Sequence, residues 1–254
     1  MEPFFFGPAR QLFGVFHPPG MQSSRNFGVV LCPPLEHEFY NVYRCLRQLA
    51  EGLSDYGLAA LRFEYYGTGD SAGAWEEASI SRWLEDIDCA VAEMRWRGYA
   101  RVCLAGVRFG ATLAALYAIR RAQTDGLVLW EPVLNGGTYV RELEAQHREE
   151  TAERGPDADE GRPVWLGFEY GVELRQDLSG IDLTAASPWP ACDLLLLNSA
   201  AASQDGLALK NAARSLSRVE TPEVSQFWRN LPSQAMLPRQ IPEQISNWIA
   251  SLCR

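Results

Sequence analysis

The sequence lacks any apolar run near the ~20 residues that a membrane-spanning helix needs. It also lacks a basic run, and its formal net charge of -9 makes nucleic acid an unfavourable partner. Residues 1–8 have neither the basic start nor the long apolar stretch of a signal peptide. We therefore expect a cytoplasmic protein with a small-molecule substrate, no nucleic acid and no membrane as partners, and homodimer formation left open.

Metal-ligand spacing is absent as well. The chain has six cysteines, none in a Cys-x-x-Cys pair and none at ligand spacing from a histidine. Most lie in apolar segments, which is typical of small buried side chains in a reducing compartment. We expect no metal site and no cofactor.

Apolar patterning predicts the fold class. Short apolar runs predict strands at residues 27–32, 58–63, 101–105, 126–130, 192–197 and 219–227, with edge strands at 4–6 and 12–16. Helical spacing predicts helices at residues 39–56, 80–95, 111–121, 139–150, 207–216 and 241–252. Strands and helices alternate, so we predict an α/β fold with a mostly parallel central sheet and helices on both faces.

The alternation stops after Pro132 and resumes near residue 192. Residues 136–183 combine a polar helix with mixed sequence, and residues 151–162 are charged, contain Gly and Pro and carry no core pattern. We predict a mobile loop at residues 151–162 and a small helical cap or lid at residues 136–183. Residues 1–135 and 184–254 would then form one core domain.

One turn carries most of the functional information. A strand, then Gly106-Val107-Arg108-Phe109-Gly110, then an alanine-rich helix is the layout of a nucleophile elbow. The middle residue of such a turn is strained and stands above the sheet, and the glycines leave room for the neighbouring backbone. Hydrolases place Ser, Cys or Asp there, whereas this chain has Arg108.

Several further segments share one resemblance. They are residues 33–38 (PPLEHE), 61–71 (LRFEYYGTGDS), 106–111 (GVRFGA), 129–133 (LWEPV), 168–174 (FEYGVEL) and 227–228 (FW). The chain resembles the α/β-hydrolase superfamily in its serine-aminopeptidase-like branch, with Glu64 where that branch has Asp. More closely it resembles the exosortase-A-system-associated hydrolase type 2 group and related biosynthetic-cluster proteins. The resemblance implies an α/β-hydrolase fold and arginine at the elbow, but it implies no particular reaction.

The remaining parts of a serine triad are missing from their usual places. The three histidines are His17, His37 and His147, and none lies near the C-terminal end where the base belongs. Asp205 stands where the triad acid usually falls, but it has no histidine to orient and also suits a helix N-cap.

The oxyanion loop has changed together with the triad. The usual His-Gly is replaced by Pro33 and Pro34, which have no backbone N–H to donate. We therefore expect no acyl-serine chemistry at the elbow.

Charged residues follow three strands whose carboxyl ends should converge on one crevice. The predicted catalytic residues are Arg108, Glu131, Glu38 and His37, and the predicted substrate-binding residues are Glu36, Tyr40, Asn41, Phe109 and Trp130. In this reading Arg108 binds an anionic substrate group and a Glu or His37 acts as the acid–base catalyst.

The sequence is compatible with three functions. The first is an atypical biosynthetic enzyme that acts on an anionic or acyl intermediate by hydrolysis, elimination, cyclisation or acyl transfer. The second is an inactive hydrolase relative in which an Arg–Glu ion pair plugs the site and the protein serves as a binding or accessory factor. The third is a hydrolase with another nucleophile such as Cys32, which ends a strand near the crevice.

Overall fold

A computed structural model of the chain describes residues 1–20, 26–121, 124–152, 164–186, 188–199, 215–221, 228 and 240–252. Its strands are β1 (Glu2–Phe6), β2 (Leu12–His17), β3 (Phe27–Cys32), β4 (Ala59–Phe63), β5 (Arg101–Val107), β6 (Gly126–Trp130), β7 (Val164–Trp165), β8 (Phe168–Glu169), β9 (Asp193–Ser199) and β10 (Ser215–Thr221). Its α-helices are α1 (Glu36–Asp55), α2 (Ile80–Trp96), α3 (Phe109–Arg121), α4 (Gly136–Thr151), α5 (Val172–Ser179) and α6 (Gln240–Leu252).

The central sheet has the order β1-β2-β4-β3-β5-β6-β9-β10. Strand β2 pairs antiparallel with β1 and β4, and every pair from β4 to β10 is parallel. All six residues of β3 are buried, as expected for a strand covered on both faces. The predicted mostly parallel sheet is confirmed, and its central strands end together at one edge.

Two helical layers cover the two faces of this sheet. Buried side chains of α2 and α3 join one hydrophobic cluster, and those of α1 and α6 join the other. Ser79 caps the start of α2 by accepting a hydrogen bond from the backbone N–H of Arg82. The helices thereby hold the strand ends in fixed positions.

Sequence patterning was wrong at the last strand. Ser215 and Leu216, predicted as the end of a helix, belong to β10 and pair with Asp193 and Leu194 of β9. The parallel pairing partner, which lies some twenty positions earlier in the chain, overrides the local helical spacing. The rest of the predicted helix at 207–216 lies outside the described residues, as do Asp205 and residues 222–227.

The segment between β6 and β9 packs its buried side chains into the same hydrophobic cluster as α2 and α3. It contains α4, the β7–β8 hairpin and α5, while most of the loop predicted at 151–162 lies outside the described residues. The base of the segment is closed by two backbone hydrogen bonds, from Gly136 to Ile181 and from Leu183 to Leu134. Residues 136–181 therefore leave and rejoin the core at one place, and their role as a lid stays a prediction.

Within the part of the chain that the structure describes, no helix is long and apolar enough to cross a membrane.

Candidate functional site

The turn between β5 and α3 has the geometry of a nucleophile elbow. Arg108 at its apex adopts a φ of 52°, in the left-handed region that side chains rarely occupy. Its backbone N–H donates to the carbonyl oxygen of Trp130 at 2.9 Å, which ties the turn to β6. A Cβ on Gly110 would lie 2.3 Å from the carbonyl oxygens of Cys32 and Pro33, so only glycine fits there.

A second strained residue ends the neighbouring strand. Glu131 follows β6 with a φ of 46°, and its backbone N–H donates to the carbonyl oxygen of Leu197 at 2.8 Å. Each non-glycine residue held in this region costs about 1–3 kcal/mol, and such residues cluster at functional sites. Two of them at the ends of adjacent strands mark this edge of the sheet as a candidate site.

The Arg108 guanidinium is paired with a carboxylate from α1. Its Nε donates to Glu38 Oε1 at 2.9 Å, and the two side chains are 13% and 4% exposed. Burial lowers the pKa of Arg108, but Glu38 together with Tyr139 and Glu142 outweighs this effect and raises the pKa above its ordinary value. The guanidinium is therefore a permanent cation with its Nε committed to Glu38.

The segment between β6 and β9, called the insert below, supplies a weaker partner, and two aromatic rings, Tyr139 of the insert and Trp228 of the core, form an aromatic wall beside the guanidinium. Glu142 of α4 places Oε2 3.5 Å from Arg108 Nη2, and its side chain is 44% exposed. The Arg108 guanidinium carbon lies 4.8 Å from the ring centroid of Trp228 and 5.8 Å from that of Tyr139. The guanidinium thus lies between two carboxylates and two aromatic rings.

An open cavity of about 180 Å³ lies beside this cluster. It is lined by Arg108, Glu131, Pro132, Val133, Leu134, Asn135, Thr138, Tyr139, Glu142 and Asn198. Glu131 and Asn198 are both buried polar residues from the ends of β6 and β9. The cavity combines one cation, two carboxylates and several neutral hydrogen-bonding groups with an apolar margin.

His37 lies at the junction of α1 and α4 rather than on the cavity wall. Its Nε2 is 3.5 Å from the hydroxyl oxygen of Tyr139, and Nδ1 is buried with no partner among the described residues. Burial lowers the pKa of His37, with Arg108 lowering it further and Glu38 opposing. His37 is therefore neutral at pH 7 and contacts the cavity through Tyr139.

Tyr139 is a buried hydrogen-bond donor. Burial raises its pKa well above the ordinary value, and the negative charge of Glu38 adds to this effect. Its ring stacks on Phe109 with centroids 5.6 Å apart and an interplanar angle of 13°. The phenol stays protonated at neutral pH.

The predicted substrate-binding residues are placed differently from expectation. Phe109 and Trp130 are buried in the two hydrophobic clusters and are not on the cavity wall, because the core covers their apolar surfaces. Tyr40 is 73% exposed on the outer face of α1. Asn41 donates through Nδ2 to the carbonyl oxygen of Trp228 at 2.6 Å and so positions the aromatic wall. The side chain of Glu36 lies outside the described residues.

Sequence patterns did not identify most of the residues that line the cavity, among them Tyr139, Glu142 and Asn198. Tyr139 and Glu142 lie one turn apart on α4, and Asn198 lies near the carboxyl end of β9. The rule that strand ends converge could have identified Asn198. Nothing in the sequence indicates that α4 turns Tyr139 and Glu142 toward Arg108, because that depends on how the insert packs.

Among the described residues, no group of three or more His, Cys, Asp or Glu side chains is arranged to hold a metal ion.

Comparison with known proteins agrees with this architecture. Residues 35–158, just under half of the chain, match the family described as serine aminopeptidase, S33. Est1E from Butyrivibrio proteoclasticus, solved with bound ferulic acid, is 16% identical with a TM-score of 0.69, over 95% of each chain. The chain has the α/β-hydrolase fold.

Other solved structures extend the likeness over nearly the whole chain. Proline iminopeptidase from Mycobacterium smegmatis is 10% identical, with a TM-score of 0.70 over 99% of both chains. Mouse alpha/beta hydrolase domain-containing protein 10 is 16% identical, with a TM-score of 0.63 over 99% of this chain and 100% of its own. No curated protein matches the sequence. At these identities the likeness concerns the α/β-hydrolase fold alone.

Proposed function

We propose that this α/β-hydrolase-fold protein is an enzyme without a Ser-His-Asp triad that binds an anionic or acyl small-molecule intermediate through Arg108. The observation that carries the proposal is the strained elbow. Both Arg108 and Glu131 are held at positive φ and both line one cavity. Strain that the flanking glycines preserve after loss of the serine is typical of a site in use.

The cavity residues suit three roles in this proposal. Arg108 binds the anionic or developing negative charge through its Nη atoms, since its Nε is held by Glu38. Glu38 acts as a positioning residue that fixes the guanidinium. Glu131 is the proposed acid–base catalyst, because it is the buried carboxylate on the cavity wall. His37 would act through Tyr139 rather than by contact with the substrate.

Covalent nucleophilic chemistry has little support. The elbow residue is arginine, and Pro33 and Pro34 lack the N–H groups that an oxyanion loop would donate. Cys32 is fully buried, and burial raises the pKa of its thiol to about 12, so a thiolate is not available at neutral pH. We therefore favour acid–base chemistry on a bound anion and expect no labelling by a fluorophosphonate probe.

The remaining expectations belong to the same proposal. The resemblance to the exosortase-associated group favours a biosynthetic role, with hydrolysis, elimination, cyclisation and acyl transfer as the candidate reactions. Residues 136–183 would act as a cap over the cavity, and the protein would work in the cytoplasm on a small molecule.

A second function is favoured by the pairing of Arg108. The guanidinium has Glu38 at 2.9 Å and Glu142 at 3.5 Å, and two aromatic rings lie against it. An internal ion pair of this kind also suits a catalytically inactive relative that serves as a binding or accessory protein. The open cavity beside the pair favours the enzyme over this alternative.

Calorimetry with ferulate tests the anion site. Ferulate is an aromatic carboxylate, and Est1E carries ferulic acid in its solved structure. We expect wild type to bind ferulate and Arg108→Gln to lose at least about tenfold in affinity, because a charge-assisted hydrogen bond is removed. Arg148→Gln, a charge-matched control at the exposed end of α4, should bind like wild type. Equal binding by Arg108→Gln would refute the site.

Turnover separates the two functions. The folded protein is incubated with a panel of aromatic esters and thioesters, and products are followed by mass spectrometry. Product formed by wild type but not by Glu131→Gln supports the enzyme. Ferulate binding without any product supports the accessory protein.

A further inference from the structure

The two carboxylates on Arg108 are not equivalent. Glu38 Oε1 meets Nε at 2.9 Å from a side chain that is 4% exposed. Glu142 Oε2 lies 3.5 Å from Nη2 on a side chain that is 44% exposed. Glu142 therefore stands on the cavity side of the guanidinium, where a bound anion would have to approach.

We propose that Glu142 is an exchangeable counter-ion, that a ligand carboxylate replaces it on Arg108, and that the substrate class is therefore a monoanionic carboxylate. This inference rests on the proposed anion-binding role of Arg108. It makes Glu142 a specificity-determining residue that mimics the ligand group when the cavity holds none.

Burial decides which carboxylate can leave. Moving Glu38 away from Nε would separate a buried carboxylate from its buried guanidinium partner, which is strongly unfavourable. Glu142 is the more easily displaced of the two carboxylates, because its side chain is already half exposed and its contact with Nη2 is long. The ligand thus competes with Glu142 and leaves the Arg108–Glu38 pair intact.

The charged residues around the cavity favour a ligand that carries a single negative charge. Arg108 is paired with Glu38, and the other charged residues that line the cavity are the carboxylates Glu131 and Glu142. Exchanging the Glu142 carboxylate for a ligand carboxylate leaves the number of carboxylates at the site unchanged. A phosphate dianion would add a further negative charge beside Glu131 in a partly buried site, where like-charge repulsion is poorly screened.

The rim offers one more cation to an incoming carboxylate. Arg141 donates through Nη2 to Thr138 Oγ1 at 2.9 Å, and Thr138 lines the cavity. A second guanidinium on the same helix as Glu142 therefore lies next to a residue that lines the cavity. A monoanion entering from that side meets attraction from Arg141 before it reaches Arg108.

Calorimetry with benzoate and phenyl phosphate tests the exchange in the full-length protein. Glu142→Gln removes the competing charge, and we expect it to bind benzoate about tenfold more tightly than wild type does. Glu149→Gln, which removes an exposed charge farther along α4, is the control and should leave affinity unchanged. Wild type should bind benzoate more tightly than phenyl phosphate at pH 7.5. Thermal unfolding of each variant verifies folding.

The outcomes separate this inference from the proposed function. If wild type binds benzoate in an Arg108-dependent way and Glu142→Gln binds it equally or more weakly, the exchange is refuted while the anion site stands. Tighter binding of phenyl phosphate than of benzoate would refute the monoanion class. If no folded variant binds any probe, the exchange and the anion site both fail.

Discussion

The two walls of the cavity differ in how firmly they hold their polar groups. On the core side, Arg108 and Glu131 sit on strained turns and Glu38 is buried in a short ion pair. On the insert side, Glu142 is half exposed and contacts Arg108 at a longer distance. The core side of the cavity therefore holds its charged groups more firmly than the insert does, so a group on the insert is the easier one to move.

We expect the largest change in the free energy of unfolding from a substitution at Glu38. Glu38→Ala would leave the Arg108 guanidinium buried without its partner, and we expect a loss of about 3–5 kcal/mol in the free energy of unfolding, measured in urea. Replacing both residues, Arg108→Met with Glu38→Leu, should recover most of that loss because no charge stays buried. A loss below about 1 kcal/mol in Glu38→Ala would contradict the assigned rigidity of the core wall.

The elbow glycine comes next. Gly110→Ala forces a Cβ against two backbone carbonyls at 2.3 Å, and we expect about 3 kcal/mol of destabilisation by the same urea measurement. Gly52→Ala is the matched control. Gly52 lies inside α1, and a Cβ there would meet only Ser246 Oγ, at 3.8 Å. That variant should gain about 0.5–1 kcal/mol from better helix propensity. Similar losses in both variants would mean that the elbow is not specially tight.

A substitution on the insert side of the cavity should change the free energy of unfolding far less. We expect Glu142→Gln to change the free energy of unfolding by less than about 0.5 kcal/mol, since exposed ion pairs contribute little. Glu149→Gln on the same helix provides the baseline. A loss comparable to that of Glu38→Ala would show that the two carboxylates are equivalent, contrary to our account.

We expect the smallest effect in the pH dependence of stability that His37, at the junction of α1 and α4, contributes. Burial lowers the pKa of His37 in the folded protein below the ordinary value of 6.5. The unfolded chain therefore binds a proton at His37 more readily than the folded protein does. Stability should therefore fall as pH drops below 6.5 through the folded pKa. The groups around the ring are Glu38, Arg108, Glu150 and Tyr139.

Urea unfolding between pH 7.5 and pH 5 measures this dependence. His37→Gln keeps a hydrogen-bonding side chain but does not titrate, so its stability curve should be flatter than that of wild type. Parallel curves for the two proteins would show that His37 makes no contribution to the pH dependence.

Sequence reasoning located the core wall but not the insert wall. The elbow was predictable because Gly106, Arg108 and Gly110 follow an apolar strand and only glycine tolerates those close approaches. Glu38 and Glu131 were predictable because polar residues after parallel strands meet at one sheet edge. These signals depend on local sequence and on a general rule of sheet topology.

The misses have a tertiary origin. Glu142 and Tyr139 face Arg108 only because α4 returns over the sheet, which no periodicity encodes. Phe109 and Trp130 lie near the site in sequence, yet the hydrophobic core takes up their side chains. Leu216 lies in β10 rather than in a helix because it pairs with Leu194 of β9.

A crystal structure of the protein with bound ferulate would show whether Arg108 binds the ligand carboxylate. We expect the ligand carboxylate within about 2.7–2.9 Å of an Arg108 Nη atom, the Arg108–Glu38 pair retained and Glu142 turned toward solvent. Ferulate bound away from Arg108, or bound in the cavity with no contact to its guanidinium, would contradict the account.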